Sequence, residues 1–122
     1  MRWLSQANAG LLIVDRQRRI VSLNRKFINL WSLPKHLIAY GDEEQALNFA
    51  SQHFKEPESF LKSVGEIYDS PNLVIYDTIS LKDGRVFERI SQPQLVEKEI
   101  VGRIWIIREL SEAELLESVS IA

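Results

Sequence analysis

Few residues of this chain combine in a way that enzymes use for catalysis. Its 122 residues include no cysteine, which excludes thiol nucleophiles, disulfides and thiolate metal sites. His36 and His53 are the only histidines, and neither stands in a motif that would pair it with a serine nucleophile or with metal-ligating neighbours. The five glycines form no phosphate-binding loop. We therefore expect this segment to be non-catalytic and to hold no metal.

The charged residues exclude two further classes of partner. Lysine and arginine together number 15, aspartate and glutamate number 17, and the formal net charge is −2. Because the two signs are interspersed, we expect no nucleic-acid partner. The adjacent acids Glu43 and Glu44 fall where a helix is predicted to begin, and there they would favour the helix dipole. No apolar run approaches the roughly 18 residues of a membrane span, and the N-terminus lacks a signal-peptide pattern, so we expect a cytoplasmic domain without direct membrane insertion.

The sequence leaves two different roles open for Arg89. It follows Asp83–Gly84, the strongest short hairpin signal in the chain. If these two residues form the whole turn, Arg89 shares a face with Tyr76 and Thr78. The apolar count favours the other face as inward, but a slip of one residue would exchange the two faces, so the sequence does not fix the direction of Arg89. A buried lone charge is costly; an inward Arg89 would either recognise an anionic small ligand with help from Tyr76 and Thr78, or pair with a surface carboxylate.

The elements that position these residues follow a simple order. Two short β-rich runs come first, three or four helical stretches follow, and three longer strands complete the pattern. Asn24 and Asp42 are typical helix N-caps, and Pro57 suits the first turn of a helix. The strands are predicted over residues 11–14, 20–23, 73–81, 86–96 and 100–110. Since Ile104–Ile107 is apolar at every position, it is typical of a central strand covered on both faces. The pattern predicts an α+β domain with one antiparallel sheet and helices on one face.

Three motifs in this order resemble PAS domains, over about residues 8–112. They are Gly10–Asp15 followed by Ile20–Asn24, then Lys82–Pro93, and finally Val101–Trp105 leading to Arg108–Ser111. The resemblance implies a five-stranded antiparallel sheet in the order 2-1-5-4-3.

The chain departs from the PAS pattern at two places. Arg18 stands where the family commonly has glycine. Glu109, Leu110 and Ser111 replace the usual Asp-Ile-Thr, and the longer glutamate makes a tight ion pair at that position less expected.

The resemblance divides the chain into three parts. Residues 1–9 would form an N-terminal flanking helix, residues 10–110 the PAS sensory domain, and residues 111–122 the start of a C-terminal signalling helix. Ser111 and Glu114 form a capping box directly after the last strand. A helix this short is marginal alone, so we expect the natural chain to continue into an output domain. The predicted signal-exit motif consists of Arg108, Glu109, Leu110, Ser111 and Glu114.

The function that the resemblance implies is signal input for a larger protein, either a histidine kinase or a cyclic-di-GMP cyclase or phosphodiesterase. A small ligand of unknown identity would bind between sheet and helices. The candidate pocket residues, which would otherwise be ordinary core, are Phe27, Trp31, Leu61, Val64, Tyr76, Thr78, Arg89 and Trp105.

Cofactors and the main alternative complete these expectations. Flavin photochemistry of the blue-light-sensing relatives is excluded because it needs a reactive cysteine. His53 lies near the position that holds haem in other relatives, but close to the break at Pro57, so we expect a helix-end histidine and no haem. The alternative function is a ligand-free interaction module. In either case the expected partners are a second copy of the chain, through flanking helices or the sheet, and the linked output domain.

Overall fold

The computed structural model describes residues 9–121, and the side chains as far as residue 116. The five strands are β1 (Gly10–Asp15), β2 (Ile20–Leu23), β3 (Ile75–Ser80), β4 (Val86–Val96) and β5 (Glu99–Glu109). The helices are α1 (Arg25–Trp31), α2 (Lys35–Tyr40), α3 (Glu43–Ser51), α4 (Pro57–Tyr68) and α5 (Glu112–Ile121). The flanking helix predicted over residues 1–9 lies, apart from its last residue, outside the described residues.

The strands form one antiparallel sheet in the order β2-β1-β5-β4-β3, which confirms the predicted topology. β5 is the central strand, and Leu11 of β1 pairs with its Ile106. Trp105, Ile106 and Ile107 are all buried, although they alternate between the two faces of the sheet. The run of apolar residues therefore predicted the central position correctly.

One glycine allows the N-terminal strand to approach β5 closely. Gly102 lies opposite Asp15, and a Cβ built on it would come 2.0 Å from the carbonyl oxygen of Val14. No real side chain tolerates that distance, so only glycine permits this pairing. Because β1 and β5 are held this close at Gly102, the position of the next residue, Arg103, is fixed as well.

Asn24 joins the first hairpin to the helices. Its Oδ1 accepts hydrogen bonds from the backbone N–H of Phe27 at 2.9 Å and of Leu11 at 3.0 Å, and its Nδ2 donates to the carbonyl of Ala9. The first of these bonds is the predicted N-cap of α1. The second ties that helix to β1, so the helices are held over the inner face of the sheet from the start of the domain.

The core lies between the helices and that inner face. Leu12 and Val14 of β1, Phe87 of β4 and Ile107 of β5 are buried in it. The helices contribute Phe27, Trp31, Ala46, Leu47, Ala50, Phe60, Val64 and Ile67, together with Phe54 from the segment between α3 and α4. Burial of these side chains supplies most of the driving force for folding.

The hairpin between β3 and β4 differs from the predicted two-residue turn. The backbone N–H of Leu81 donates to the carbonyl of Arg85 at 2.9 Å, and the N–H of Gly84 donates to the carbonyl of Leu81 at 3.1 Å. The loop therefore has three residues, and Gly84 closes it in the left-handed conformation with φ at 94°. Ile79 consequently pairs with Phe87, one position away from the predicted register.

That shift changes which residues share a face. Asp77 pairs with Arg89, so both lie on the inner face together. Tyr76 pairs with Ile90 and Thr78 with Glu88, which places them on the outer face. The predicted grouping of Tyr76 and Thr78 with Arg89 is therefore wrong, because a slip of one residue exchanges the two faces of a strand.

Candidate functional site

The space between sheet and helices is almost filled by side chains. A small void there has a volume of about 10 Å³ and is lined by Leu12, Phe27, Leu47, Phe60, Val64, Arg89, Trp105 and Ile107. This is the space of about one water molecule. Four of the predicted pocket residues, Phe27, Val64, Arg89 and Trp105, thus surround a void too small for a metabolite.

Two other predicted pocket residues pack in the core away from that void. Trp31 lies between Phe54 and Phe87, with ring centroids 5.3 and 5.2 Å away. Leu61 is half-buried and packs against the edge of the core. Neither contributes to the lining of the void.

Arg89 points inward, and a carboxylate already neutralises it. Its Nε and Nη2 donate to the two carboxylate oxygens of Asp77 at 2.9 and 2.7 Å, and its Nη1 donates to the Ser63 hydroxyl at 3.3 Å. The rings of Phe60 and Trp105 lie 5.8 and 5.9 Å from the guanidinium carbon, within cation–π range. Of the two interpretations left open by the sequence, this geometry is that of pairing with a surface carboxylate, since the Asp77 side chain is 46% exposed.

An open groove runs beside this ion pair, between α4 and the edge strand β3. Its volume is about 380 Å³, and it is lined by Phe54, Lys55, Glu56, Ser59, Phe60, Ser63, Asp77, Thr78, Ile79, Ser80 and Arg89. Thr78 borders it from the edge strand. This size falls in the range of small-molecule pockets. Because Arg89 lines the groove, a ligand of Arg89 would reach it from this side.

Tyr76 belongs to a different network, on the outer face of the sheet. Its hydroxyl donates to Glu88, and this bond raises the pKa of Tyr76. Glu88 in turn accepts from Nε of Arg108 at 3.2 Å, and Arg108 Nη2 lies 2.8 Å from Glu114 in α5. A buried arginine thus connects strand β4 to the helix that leaves the domain.

The predicted exit motif is assembled around this arginine. The Ser111 hydroxyl accepts from the N–H of Glu114 at 3.1 Å, while the Glu114 carboxylate accepts from the N–H of Ser111 at 2.9 Å. Hydrogen bonds from Arg108 and Ser111 lower the pKa of Glu114 to about 2. Leu110 donates to the Val86 carbonyl, which holds the end of β5 against β4. Glu109 is exposed, 3.8 Å from Arg85, so its ion pair is loose, as its extra methylene led us to expect.

A buried carboxylate that the sequence analysis missed lies at the other end of the domain. Glu43, the first residue of α3, is completely buried. Its Oε1 accepts from Nε of Arg18 at 2.7 Å, and the hydroxyl of Tyr68 lies 2.7 and 2.8 Å from its two oxygens. Trp105 Nε1 donates to the same hydroxyl at 3.1 Å. Burial raises the pKa of Glu43, although Arg18 and Tyr68 act in the opposite direction.

This carboxylate explains why Arg18 stands where PAS domains commonly have glycine. Arg18 has a φ of 62°, in the left-handed region, which costs a non-glycine residue about 1 kcal/mol. In return its guanidinium reaches Glu43 and stacks over the ring of Tyr68, 4.4 Å from the centroid. Glycine could supply neither interaction. The arginine at this position is therefore coupled to the buried acid.

Arg103 is a buried arginine at this end, and its surroundings differ from those of Arg89. It is 2% exposed; Nη1 donates to the Ser91 hydroxyl at 2.8 Å. Nη2 donates to the carbonyls of Pro71 at 3.1 Å and Leu73 at 2.8 Å. Among residues 9–116 no carboxylate lies within 4.0 Å of the Arg103 guanidinium. Burial without a counterion lowers the pKa of Arg103.

A second open groove adjoins Arg103. Its volume is about 420 Å³, and it is lined by Asp15, Arg16, Tyr68, Pro71, Asn72, Ile100, Gly102 and Arg103. No sequence signal pointed to this groove, because its residues come from the first turn, the end of α4 and the start of β5.

His53 has the surroundings of a helix-end histidine. It is half-buried, its Nδ1 lies 3.1 Å from the carbonyl of Ala50, and its ring stands 6.1 Å from that of Trp31. Within the described part of the chain, no group of three or more histidine, aspartate or glutamate side chains is arranged to hold a metal ion. None of the described helices is long and apolar enough to cross a membrane.

Comparison with known proteins identifies the fold. No protein-family model and no curated protein matches the chain significantly. Solved structures do match it. The sensor region of a sensor histidine kinase superposes with a TM-score of 0.65 at 10% identity, over 88% of this chain and 41% of that chain. The PAS domain of a protein from Colwellia psychrerythraea gives 0.54 at 18% identity, over 87% and 89%.

A third structure extends the comparison to light sensors. The LOV domain of a blue-light activated histidine kinase from Erythrobacter litoralis gives a TM-score of 0.60 at 15% identity, over 88% of this chain and all of that one (100%). These similarities show that the chain has the PAS fold, as its motifs predicted. The chain spans only 41% of the length of the histidine-kinase sensor region.

Proposed function

We propose that this chain is a non-catalytic signal-input domain of a larger signal-transduction protein, whose output leaves through α5. The observation that carries the proposal is the position of Arg108. This buried residue of the central strand forms ion pairs with Glu88 of β4 and with Glu114 of α5. Any change in the spacing of β4 and β5 would therefore act on the first turn of the exit helix.

The physical basis is the strength of charge-assisted hydrogen bonds in a poorly solvated place. The side chains of Arg108 and Glu88 are about one-tenth exposed, so solvent screens their attraction only weakly. The capping box of Ser111 and Glu114 uses the same carboxylate that pairs with Arg108. Loss of the ion pair would consequently weaken the helix cap as well, which makes the first turn of α5 the responsive element.

The stimulus would enter on the opposite face of the sheet. The groove beside Arg89 is the opening through which a small molecule could reach the inner face, and Arg89 and Glu88 are neighbours in β4 with opposite orientations. A shift of β4 caused by an occupant of the groove would displace Glu88. A histidine kinase is the output we favour, because both the sensor region and the LOV domain compared above come from such kinases.

A fusion protein tests the proposal. Residues 1–122 are joined through α5, in continuous helical register, to the catalytic core of a sensor histidine kinase, and autophosphorylation is measured. Arg108→Gln removes both ion pairs, and we expect the autophosphorylation rate to change at least about threefold relative to the wild-type fusion. Glu114→Gln, which breaks only the helix side of the network, should change it in the same direction.

The matched control is Arg25→Gln, which removes the same charge from an exposed arginine of α1, away from the network and from the exit motif. Its fusion should phosphorylate at the wild-type rate. Thermal unfolding of each fusion verifies that the domain is folded. Wild-type rates for both Arg108→Gln and Glu114→Gln in folded fusions would exclude signal output through this network.

The alternative function, a ligand-free interaction module, is supported by the filled interior. The void between sheet and helices, of about 10 Å³, is too small for a metabolite, and this favours a role that needs no internal ligand. This alternative predicts a dimer in solution that no small molecule stabilises. Analytical ultracentrifugation combined with a thermal-shift screen separates the two functions: a dimer with no ligand-dependent rise in melting temperature supports the module.

A further inference from the structure

We infer that the groove beside Arg103 is a binding site for a small monoanionic organic acid, separate from the Arg89 groove. The inference starts from the charge of Arg103. A guanidinium has five N–H donors and no acceptor. Three donors of Arg103 are used by the Ser91 hydroxyl and by the carbonyls of Pro71 and Leu73. These acceptors are neutral, so within residues 9–116 they satisfy hydrogen bonds without balancing the charge.

Two other buried arginines and the partly buried Arg18 all face carboxylates, and this makes Arg103 distinctive. Arg89 faces one carboxylate, Arg18 faces one, and Arg108 faces two. A buried charge without a counterion is costly, and proteins normally pair it or place it beside an anion. An anion bound near Arg103 would supply the missing countercharge.

The charges around Arg103 favour an anion with a single negative charge. Glu43 is the nearby buried acid, but Arg18 already neutralises it. The residues that line the groove include two arginines, Arg16 and Arg103, and one acid, Asp15. One positive charge is therefore left over. The Asp15 carboxylate accepts hydrogen bonds from two backbone N–H groups of its own turn, which occupies its Oδ1 locally.

The remaining lining indicates an organic rather than an inorganic anion. Tyr68, Pro71 and Ile100 contribute carbon surface, while Asn72 adds an amide. Small-molecule sites combine an apolar lining with a few placed polar groups, and about 420 Å³ is within their usual range. An acid with a short aromatic or branched body would cover the carbon surface while its carboxylate approaches the arginines.

The probe for the test is sodium benzoate, titrated into ¹⁵N-labelled protein of the full 122-residue chain at low ionic strength. The reporters are the backbone amides of Gly102 and Asn72, which line the groove. We expect saturable chemical-shift changes with a Kd of about 1 mM, typical of so small a ligand. Benzyl alcohol, which has nearly the same shape and no charge, should cause no saturable change. Equal binding of the two would overturn the inference.

Three further arms make the test specific to Arg103. Arg103→Gln should weaken benzoate binding at least about tenfold, whereas Arg89→Gln, at the other groove, should leave it within about twofold. Arg16→Gln alters an exposed residue, so it keeps the fold while lowering the affinity several-fold, and it remains decisive if Arg103→Gln does not fold. Unchanged affinity in the folded arginine variants of this groove would contradict the assignment.

Inorganic phosphate distinguishes the source of the anion. If phosphate shifts the Gly102 and Asn72 amides at concentrations equal to or below those of benzoate, the carbon surface contributes nothing and an organic acid is the wrong class. Weaker binding of phosphate supports the organic acid. The site lies apart from Arg108 and Glu114, so failure here leaves the proposed output through α5 to be decided by its own fusion experiment.

Discussion

Arg89 and Arg103 lie on neighbouring strands, and both are buried on the inner face of the same sheet. Arg89 holds a bidentate carboxylate from the half-exposed Asp77, at the edge of the sheet. Arg103 holds a hydroxyl and two carbonyls, and no carboxylate of residues 9–116 is within ion-pair distance. Two arginines on the same face of the sheet thus differ: a carboxylate neutralises Arg89, whereas no carboxylate of the described residues neutralises Arg103.

The difference shows where each groove can accept a charged ligand. In the Arg89 groove, Asp77 already binds Nε and Nη2 of the arginine, so an anion there competes with an existing ion pair. An anion that enters the Arg103 groove adds a countercharge without displacing one. Desolvation of a buried charge is the dominant cost in both places. The grooves are therefore unequal as anion sites, even though their volumes are similar, about 380 and 420 Å³.

The largest effect that this comparison predicts concerns Glu43, the buried acid at the Arg103 end. Glu43→Ala removes the carboxylate that pairs with Arg18 and the acceptor of the Tyr68 hydroxyl, and it also removes a negative charge that acts on Arg103 from beyond ion-pair distance. Breaking a buried pair in this way should lower the free energy of unfolding by about 3 kcal/mol. Urea unfolding measures it.

The matched control for that variant is Glu44→Ala, at the next position of the same helix end, where the side chain is exposed. Its free energy of unfolding should stay within about 0.5 kcal/mol of the wild type. If the two variants unfold alike, the Arg103 end does not depend on Glu43, and the comparison of its charges with those at Arg89 has no basis.

A smaller loss is expected from Gly102→Ala, which tests whether the backbone positions Arg103. The added Cβ would meet the Val14 carbonyl oxygen, so β1 and β5 must separate. We expect a loss of about 2 kcal/mol in the free energy of unfolding, the usual cost of forcing an atom into a packed site. In a folded sample, benzoate binding at Arg103 should weaken, while the structure of the Arg89 groove should stay as in the wild type.

Gly65→Ala is the control, because nothing lies within 4 Å of the position that a Cβ would take there, and Gly65 is exposed on α4. At this position alanine favours the helix, and stability should rise by up to about 1 kcal/mol. A Gly102→Ala variant as stable as the wild type would show that the close approach of the strands is not required.

The sequence predicted those parts of this molecule that depend on local patterns. The apolar run Ile104–Ile107 placed the central strand, and the capping residues Asn24, Ser111 and Glu114 marked two helix starts correctly. Each of these depends on neighbours a few positions away, so residue types and spacing carried enough information.

The rest depended on contacts between distant segments or on the conformation of single residues. From the sequence, Glu43 was interpreted only as a residue that favours the helix dipole. Its partners Arg18 and Tyr68 are each 25 positions away, in opposite directions, so no local pattern indicated them. The predicted grouping of Tyr76 with Arg89 on one face was wrong, because the turn that Gly84 closes in the left-handed conformation is one residue longer than the Asp-Gly signal suggested. Arg103 gave no signal, since nothing in its sequence neighbourhood reveals whether a carboxylate faces it.

A third prediction concerns Arg89, which would resemble Arg103 if its countercharge were removed. Asp77→Asn keeps the shape of the side chain but removes the countercharge of Arg89. Because Asp77 is 46% exposed, solvent screens this pair, and the loss of stability should be only about 1 kcal/mol. The variant should instead gain affinity for benzoate, seen as saturable shifts of the Ser63 and Thr78 amides that are absent in the wild type.

Glu56→Gln provides the control for that gain, because Glu56 borders the same groove but makes no ion pair with Arg89. It removes the same negative charge and should not create a saturable site. Equal gains in the two variants would mean that the overall charge of the groove, rather than the pairing of Arg89, sets its affinity for anions.

The smallest expected effect concerns Arg108, the buried arginine with two carboxylates, and it appears as a pH dependence. The pKa of Glu114 is lowered from 4.5 to about 2, so the fold stabilises its ionised form. This contribution is present above pH 4.5 and is lost as the pH falls toward 2. Carbon-13 NMR of the Glu114 carboxylate should follow this titration, with fraying of the first turn of α5 over the same range. In Arg108→Gln the pKa should return toward 4.5, because its largest cause is removed. A Glu114 that titrates alike in both proteins would mean that charge pairing at this end of the sheet does not reach the exit helix.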